Sequence, residues 1–481
     1  MPRAHPLVSP VRALLIVLAI WAAIYLPRLG SIEIRGEEGR RILPATRMLE
    51  TGNFVVPYIG SEPYLNKPPL INWLIGGSFK LCGRQDEFAA RLPSGFAVLA
   101  AALVLLFVPA RTSSTNARFA SAIIWLSALG TMDKGRLAEI EALYMSLTGI
   151  AFVCWISFWR ERRSRWSLWL VPAVFLGFGL LTKGPTHLVF FYSIVLAVLW
   201  QEHALRELWS LAHLAGVALM LAIFAAWAVP YVNALEAARV ASVWSQQLGD
   251  RVVSDTFNAA RWAWNIPDGI WYFLPWALLL PLVRLRRVED ERTRRLLKGT
   301  AWGMAASFLI VSMLPASLSR YTMPLLLPAC WFLAMCVEHG ALIALRNAHR
   351  WVLVVAALIS VGAVCYAMFV VPGLRESETV RPNGTRINAL VSAPERLYAI
   401  DPYFQPYLFY VRAPVVYVTD TSALPPDARY VLARTTGGTK PEQARRELEA
   451  RNARKILDLD DKRGHRAAVY ELAPSTPAES Q

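Results

Sequence analysis

Charge is scarce in this chain. Asp, Glu, Lys and Arg make up 18% of its 481 residues, against roughly a quarter in an ordinary soluble domain. Cysteine is scarcer still: Cys82, Cys154, Cys330, Cys336 and Cys365 form no CxxC pair, and four of them lie in or beside apolar runs. That pattern argues against a disulfide framework or a thiolate metal site and reads as small residues packing among helices. The seven histidines show no HxH or HExxH spacing, so no zinc signature is present. There is no internal repeat and no low-complexity tract. The first apolar run, 11–27, lacks a small-residue cleavage site and is expected to be an anchor helix rather than a removed signal.

Apolar residues are plentiful: 55% of the chain is hydrophobic, and mean hydropathy is +0.36. A soluble globular protein and a disordered chain are both excluded. After the run at 11–27 come runs near 93–110, 119–132, 141–159, 168–182, 184–200, 211–232, 269–285, 299–316, 321–338 and 350–372, which predict eleven membrane spans. The segment 69–82, PLINWLIGGSFKLC, is short and broken, and predicts a helix lying on or dipping into the outer leaflet.

The net charge of +15 does not point to nucleic acid. The cations sit between apolar spans, where positive-inside topology accounts for many of them. The stretch 159–166, WRERRSRW, and the stretch 284–298, RLRRVEDERTRRLLK, fall on one side of the predicted topology, with Arg111 and Arg118 beside a third loop there. The loop 233–268, on the other side, carries only Arg239, Arg251 and Arg261. With Arg3 and Arg12 before the first span, the N-terminus is expected in the cytoplasm and the C-terminus outside.

Three regions follow. Residues 1–372 are predicted to be a membrane domain, with 28–92 as its first outer loop. Residues 373–472 hold short β-rich runs (396–400, 414–418, 429–433, 454–459 and 467–472) and a charged amphipathic stretch at 441–452, which predict a small extracytoplasmic α/β domain. Residues 473–481, APSTPAESQ, read as a disordered tail.

Polar constellations fall on the predicted outer face. The first loop carries Arg35-Gly36-Glu37-Glu38-Gly39-Arg40-Arg41, two adjacent carboxylates followed by two cations. Lys67 precedes Pro68-Pro69, which stiffen the entry to an apolar helix. Asp133-Lys134-Gly135-Arg136 leads through Glu139 to Glu141, whose carboxylate enters an apolar helix, a costly placement that points to function. On one helix, Glu139 and Glu141 would diverge by about 200° and could not share a site. Thr182-Lys183-Gly184-Pro185 and Ser319-Arg320-Tyr321 interrupt apolar runs and leave a cation at the same level. Each fragment also fits a plain solvated loop, a snorkelling lysine or a connecting turn. Together they fit the anionic headgroup of a polyprenyl-phosphate sugar. Breaking its C1–O bond calls for positive charge on the departing phosphate and, for a hydroxyl acceptor, a carboxylate base.

The order of motifs resembles that of the bacterial PMT-like membrane glycosyltransferases of the GT-C architecture, which include the aminoarabinose (ArnT-like) transferases and the protein O-mannosyltransferases. The family's acidic pair aligns with Glu37-Glu38. Its Gly-Asp/Asn-Trp/Phe-x-x-Pro turn fits Gly52-Asn53-Phe54-Val55-Val56-Pro57. Tyr64-Leu65-Asn66-Lys67-Pro68-Pro69-Leu70 and Ala89-Ala90-Arg91-Leu92-Pro93-Ser94 follow in order. Arg136 to Leu143, Thr182 to Pro185 and Arg320-Tyr321-x-x-Pro324 complete the set. Glu37 and Glu141 stand where the family has Asp, and Asn66 stands where some lipid A-modifying members have Glu.

The resemblance implies a helical inner-membrane enzyme that moves a sugar from a polyprenyl-phosphate donor to a lipid, glycan or protein acceptor on the outer face. It implies Glu37, Glu38 and Glu141 as the site acids, with Glu37 the base or acceptor-positioning group. Lys67, Arg136, Lys183 and Arg320 are the implied phosphate-binding cations. No cofactor motif is present, and a divalent cation bridging carboxylate and phosphate stays open. The alternative is a transporter or flippase of lipid-linked sugars, against which stand the missing repeat and the clustering of charge at one face. A scaffolding membrane protein is the third class.

Overall fold

The computed structural model describes residues 8–111, 113–252, 259–342, 348–400, 405–436, 439–460 and 466–473. Arg3 and nearly all of the tail expected to be disordered lie outside the described residues. The chain forms two compact units, one of Met1–Leu29, Leu65–Leu74 and Arg91–Phe369, the other of Gly30–Tyr64, Ile75–Ala90 and Val370–Gln481. Hydropathy divides the chain at 372/373, whereas packing groups most of the first polar loop with the C-terminal segment.

The protein is a multi-pass helical membrane protein. Among the described residues, seven helices are long and apolar enough to cross a bilayer: Glu87–Phe107, Ile140–Glu161, Arg165–Lys183, Leu211–Asn233, Glu291–Met313, Ser319–Glu338 and Arg350–Glu376. Pro10–Tyr25, Leu70–Cys82 and Thr186–Gln201 are shorter apolar helices. Two of the runs expected to span differ in form. The run 119–132 is cut at Ala128, which is extended between the helices Thr115–Ser127 and Leu129–Gly135. The amides of Leu129 and Gly130, freed by the break, donate to the carbonyls of Leu274 and Tyr272 at 2.9 and 2.8 Å. The run 269–285 is no continuous helix: it holds the end of the short helix Asn265–Trp271 and a 3₁₀ segment Trp276–Leu282, in keeping with Pro275 and Pro281.

Small residues let the helices of the first unit pack closely. On Glu291–Met313, Gly299 and Gly303 face Thr186–Gln201. A Cβ at Gly303 would lie 2.4 Å from the Ile194 Cα and 2.6 Å from the Ser193 carbonyl oxygen. This is the small-xxx-small contact by which membrane helices approach without a hydrophobic drive between them. Ile140–Glu161 is the enclosed helix, with 89% of its apolar window buried against 17% for Arg350–Glu376. It is apolar on every face because protein surrounds it.

The second unit contains a hairpin, β1 (Tyr58–Ile59) with β2 (Glu62–Pro63), and a sheet of β3 (Leu397–Ile400), β4 (Val415–Val418), β5 (Tyr430–Arg434), β6 (Arg454–Asp460) and β7 (Arg466–Glu471). The sheet order is β4-β3-β5-β7-β6; β3 is parallel to both neighbours, and the remaining pairs are antiparallel. Side chains alternate between two cores. Leu397, Ala399 and Leu432 enter one with Ile387 of the helix Val380–Leu390; Tyr398, Ile400 and Val431 enter the other with Ala444 and Leu448 of the helix Thr439–Ala450. Leu43, from the first-loop helix Gly39–Thr51, belongs to the first of these cores.

Candidate active site

In the first unit, breaks in three helical segments gather charge. Glu141 lies in the first turn of Ile140–Glu161, where unpaired amides favour an anion. Lys183 is the last residue of Arg165–Lys183, where the helix end favours a cation. Gly184 then turns the chain at φ +90°, a conformation that requires glycine. Arg320 sits in the 3₁₀ turn Ser319–Leu325 that precedes Leu326–Glu338.

Lys183 Nζ donates to Glu141 Oε1 at 3.1 Å, and Arg320 Nε lies 3.7 Å from that same oxygen. Glu141 and Lys183 are nearly sealed from solvent, while the Arg320 side chain is 31% exposed. Lys183 Nζ also stands over the rings of Tyr321 and Tyr144, at 4.8 and 5.4 Å from their centroids. Two cations sharing one carboxylate give the trio a formal charge of +1, and the rings steady the lysine without neutralising it.

Glu139 is not on the helix. It is the extended residue just before it, φ −111° and ψ 166°, so the 200° divergence expected from helical spacing does not apply. Glu139 pairs with Lys134 at 3.1 Å, and Lys134 also meets Asp133 at 3.2 Å.

Arg136 donates to the carbonyls of Ile24 and Pro27, where Pro10–Tyr25 ends. Arg91, of the Ala-Ala-Arg-Leu-Pro-Ser motif, donates to the Leu29 carbonyl at 2.7 Å. Both arginines thus fasten the exit of the first helix. Lys67 is half-buried in the loop entering Leu70–Cys82. Trp244 Nε1 donates to the carbonyl of the nearby Leu65 at 3.1 Å.

In the second unit, the acidic pair divides its roles. Glu38 is fully buried; its carboxylate accepts the Arg35 amide at 2.9 Å, and its carbonyl accepts the Arg41 and Ile42 amides at the start of Gly39–Thr51. Glu37 keeps a quarter of its side chain exposed and pairs with Arg40 at 3.1 Å. Arg41 is buried and donates to the Tyr64 hydroxyl at 2.9 Å. Of the two acids, Glu37 is the one open to a reactant.

Sequence reasoning missed a network beside this pair. Glu33 accepts the amides of Thr379, Val380 and Arg381 at 2.8–3.0 Å, capping Val380–Leu390. Glu87 accepts from Arg381 at 2.6 Å and from the Tyr410 hydroxyl at 2.7 Å, and that hydroxyl accepts the Ile34 amide at 2.8 Å. Burial, then the Glu87 charge, pushes the Tyr410 phenol well above its ordinary pKa, so it stays a donor. Nothing in the local pattern around Glu33 or Glu87 marks these distant partners.

Among the described residues, no group of three His, Cys, Asp or Glu side chains is gathered as metal ligands would be.

The sequence and the fold are similar to those of known proteins. Residues 66–229 match the family model for dolichyl-phosphate-mannose-protein mannosyltransferase. An undecaprenyl phosphate-alpha-4-amino-4-deoxy-L-arabinose arabinosyl transferase of Erwinia tasmaniensis is 29% identical over 62% of this chain and 53% of that one. Its counterpart in Pseudomonas savastanoi is 27% identical over 63% and 57%. The chain therefore spans little more than half the length of these curated relatives. The crystal structure of ArnT from Cupriavidus metallidurans bound to undecaprenyl phosphate superposes with a TM-score of 0.68 at 16% identity, over 97% of this chain and 99% of that one. The chain thus shares the fold of the ArnT structure and is similar in sequence to the mannosyltransferase family model and to the arabinosyl transferases.

Proposed function

We propose that the protein is a glycosyltransferase of the inner membrane that moves a sugar from a polyprenyl-phosphate donor to a lipid, glycan or protein acceptor on the outer face. The supporting observation is the convergence of two cations at Glu141: Lys183 and Arg320 share one carboxylate oxygen at helix ends. The topology that goes with it has eleven crossings, a cytoplasmic N-terminus and the α/β domain outside.

In this reading, Lys183, Arg320 and Lys67 offset the charge that grows on the departing phosphate as the C1–O bond breaks. Glu141 holds the first two in place. By resemblance, Glu37 takes the proton of an acceptor hydroxyl, and the configuration at C1 inverts. A phosphate acceptor is already ionised and needs no base. Arg136 and Glu38 serve by positioning, the one through the end of Pro10–Tyr25 and the other through the start of Gly39–Thr51.

The test is sugar transfer by the purified protein in detergent, where a transporter has no compartment to fill. Glu37→Gln keeps shape and removes proton acceptance; turnover should fall roughly 10²–10⁴-fold with donor binding retained. Wild-type turnover in Glu37→Gln would end the assignment of Glu37, and wild-type protein inert in detergent but active in sealed vesicles would favour transport.

A further inference from the structure

The second unit carries a cavity of about 440 Å³ that the proposed transfer chemistry does not use. It opens at the carboxyl ends of the three parallel strands. Ile400 closes β3, Thr419 to Ser422 follow β4, and Arg434 ends β5. The chain runs from β3 to β4 on one side and then to β5 on the other, so the strand order reverses at β3. In open α/β sheets, the crevice outside the carboxyl ends at such a reversal is where ligands bind. The volume lies within the usual range for small-molecule sites. Two further walls come from Ser61 and Glu62, at the tip of the β1–β2 hairpin, and from one face of Thr439–Ala450.

The lining chemistry narrows the occupant. Glu62, Asp420 and Glu447 only accept hydrogen bonds when ionised, Arg434 only donates, and the hydroxyls of Ser61, Thr419, Thr421 and Ser422 do both. Asp420 accepts the Ser422 amide at 2.8 Å, and Glu447 accepts from Thr421 and, at 2.8 Å, from Gln443. These bonds hold both carboxyls below the usual range, so they stay charged at neutral pH. Among the described lining residues, three carboxylates then stand against one guanidinium. A phosphate offers acceptors and negative charge, and would be repelled. A group that both donates and accepts, at several closely spaced positions and without negative charge, is the match, and a saccharide's hydroxyls are such groups.

We propose that this crevice is a saccharide-binding site for an uncharged, unphosphorylated glycan. Taken with the proposed transfer reaction, its occupant is the glycan part of an acceptor; the binding itself does not depend on that reading.

The test uses the full chain in detergent without any donor, so its outcome is separate from that of the transfer assay. Maltotriose, cellotriose, mannotriose and chitotriose are titrated by saturation-transfer NMR, with inorganic phosphate as competitor. At least one trisaccharide should bind saturably and phosphate should not displace it. Gln443→Trp, which fills the cavity from an exposed helix position, should weaken that binding at least tenfold with an unchanged thermal midpoint. Glu447→Gln, of the same shape, should also weaken it and serves as the second variant if the tryptophan disturbs folding. Absence of binding by all four sugars, binding indifferent to both variants, or displacement by phosphate would each overturn the proposal.

Discussion

The Tyr410 hydroxyl donates to Glu87 across 323 residues of sequence, at 2.7 Å, and the same carboxylate oxygen takes Arg381. Tyr410→Phe removes that bond and strands the Ile34 amide. A lost bond to a charged acceptor and an unpaired buried amide together cost roughly 1–3 kcal/mol. The thermal midpoint should fall, read by scanning calorimetry of the detergent-solubilised protein, while Arg381 still holds Glu87. An unchanged midpoint would mean that the segment around Ile34 is held by other contacts.

Glu141 and Lys183 are expected to be strongly coupled. Glu141→Ala leaves a buried lysine without its carboxylate, a change that costs about 3–5 kcal/mol, so folded yield should drop. Glu141→Gln combined with Lys183→Met removes both charges and should recover much of that yield. Transfer should not return, because the phosphate has lost a cation. If the double variant is as active as wild type, the ion pair is structural only.

Lys67 and Arg136 should separate under mutation. Lys67→Met is expected to raise the donor KM or lower turnover about tenfold or more, the loss of a charge-assisted contact. Arg136→Met should instead lower folded yield, because its guanidinium serves the Ile24 and Pro27 carbonyls. A donor-KM effect confined to Arg136→Met would reverse these roles.

Glu378 gives a pH dependence. Burial is the largest influence on its carboxyl and raises its pKa above the ordinary value of 4.5, against the opposing pull of the Glu33 amide and Arg381. A carboxyl whose folded pKa is raised favours the folded state while protonated, and that contribution is lost as pH rises from the ordinary value through the folded one. Relative to wild type, Glu378→Gln should therefore gain thermal stability as pH is raised from about 4 towards neutrality. Parallel midpoints for the two proteins across that range would refute the assignment.

Local sequence carried much of this molecule. The strands β3 to β7 fall on the β-rich runs, and Glu141, marked as an acid entering an apolar helix, meets Lys183 and Arg320, marked as cations that interrupt apolar runs, at one oxygen. What sequence missed depends on long-range geometry. The chain breaks at Ala128 in a run that hydropathy joins, and the freed amides of Leu129 and Gly130 find carbonyls more than 140 residues away. The helix-period argument about Glu139 failed because that residue lies one position outside the helix. That Arg136 also donates to the carbonyls of Ile24 and Pro27 is a contact that residue type alone does not reveal.

Leu43 sits in a core whose other buried members begin at Ile387. About 340 residues of synthesis separate them, roughly 20–70 s at ribosomal rates. For that interval Leu43 of the helix Gly39–Thr51 lacks the residues that bury it in the finished core. Any nascent chain stalled or truncated before the last strands is thus marked by an uncovered Leu43, and surveillance by proteases or chaperones could discriminate there between a finished molecule and an abandoned one.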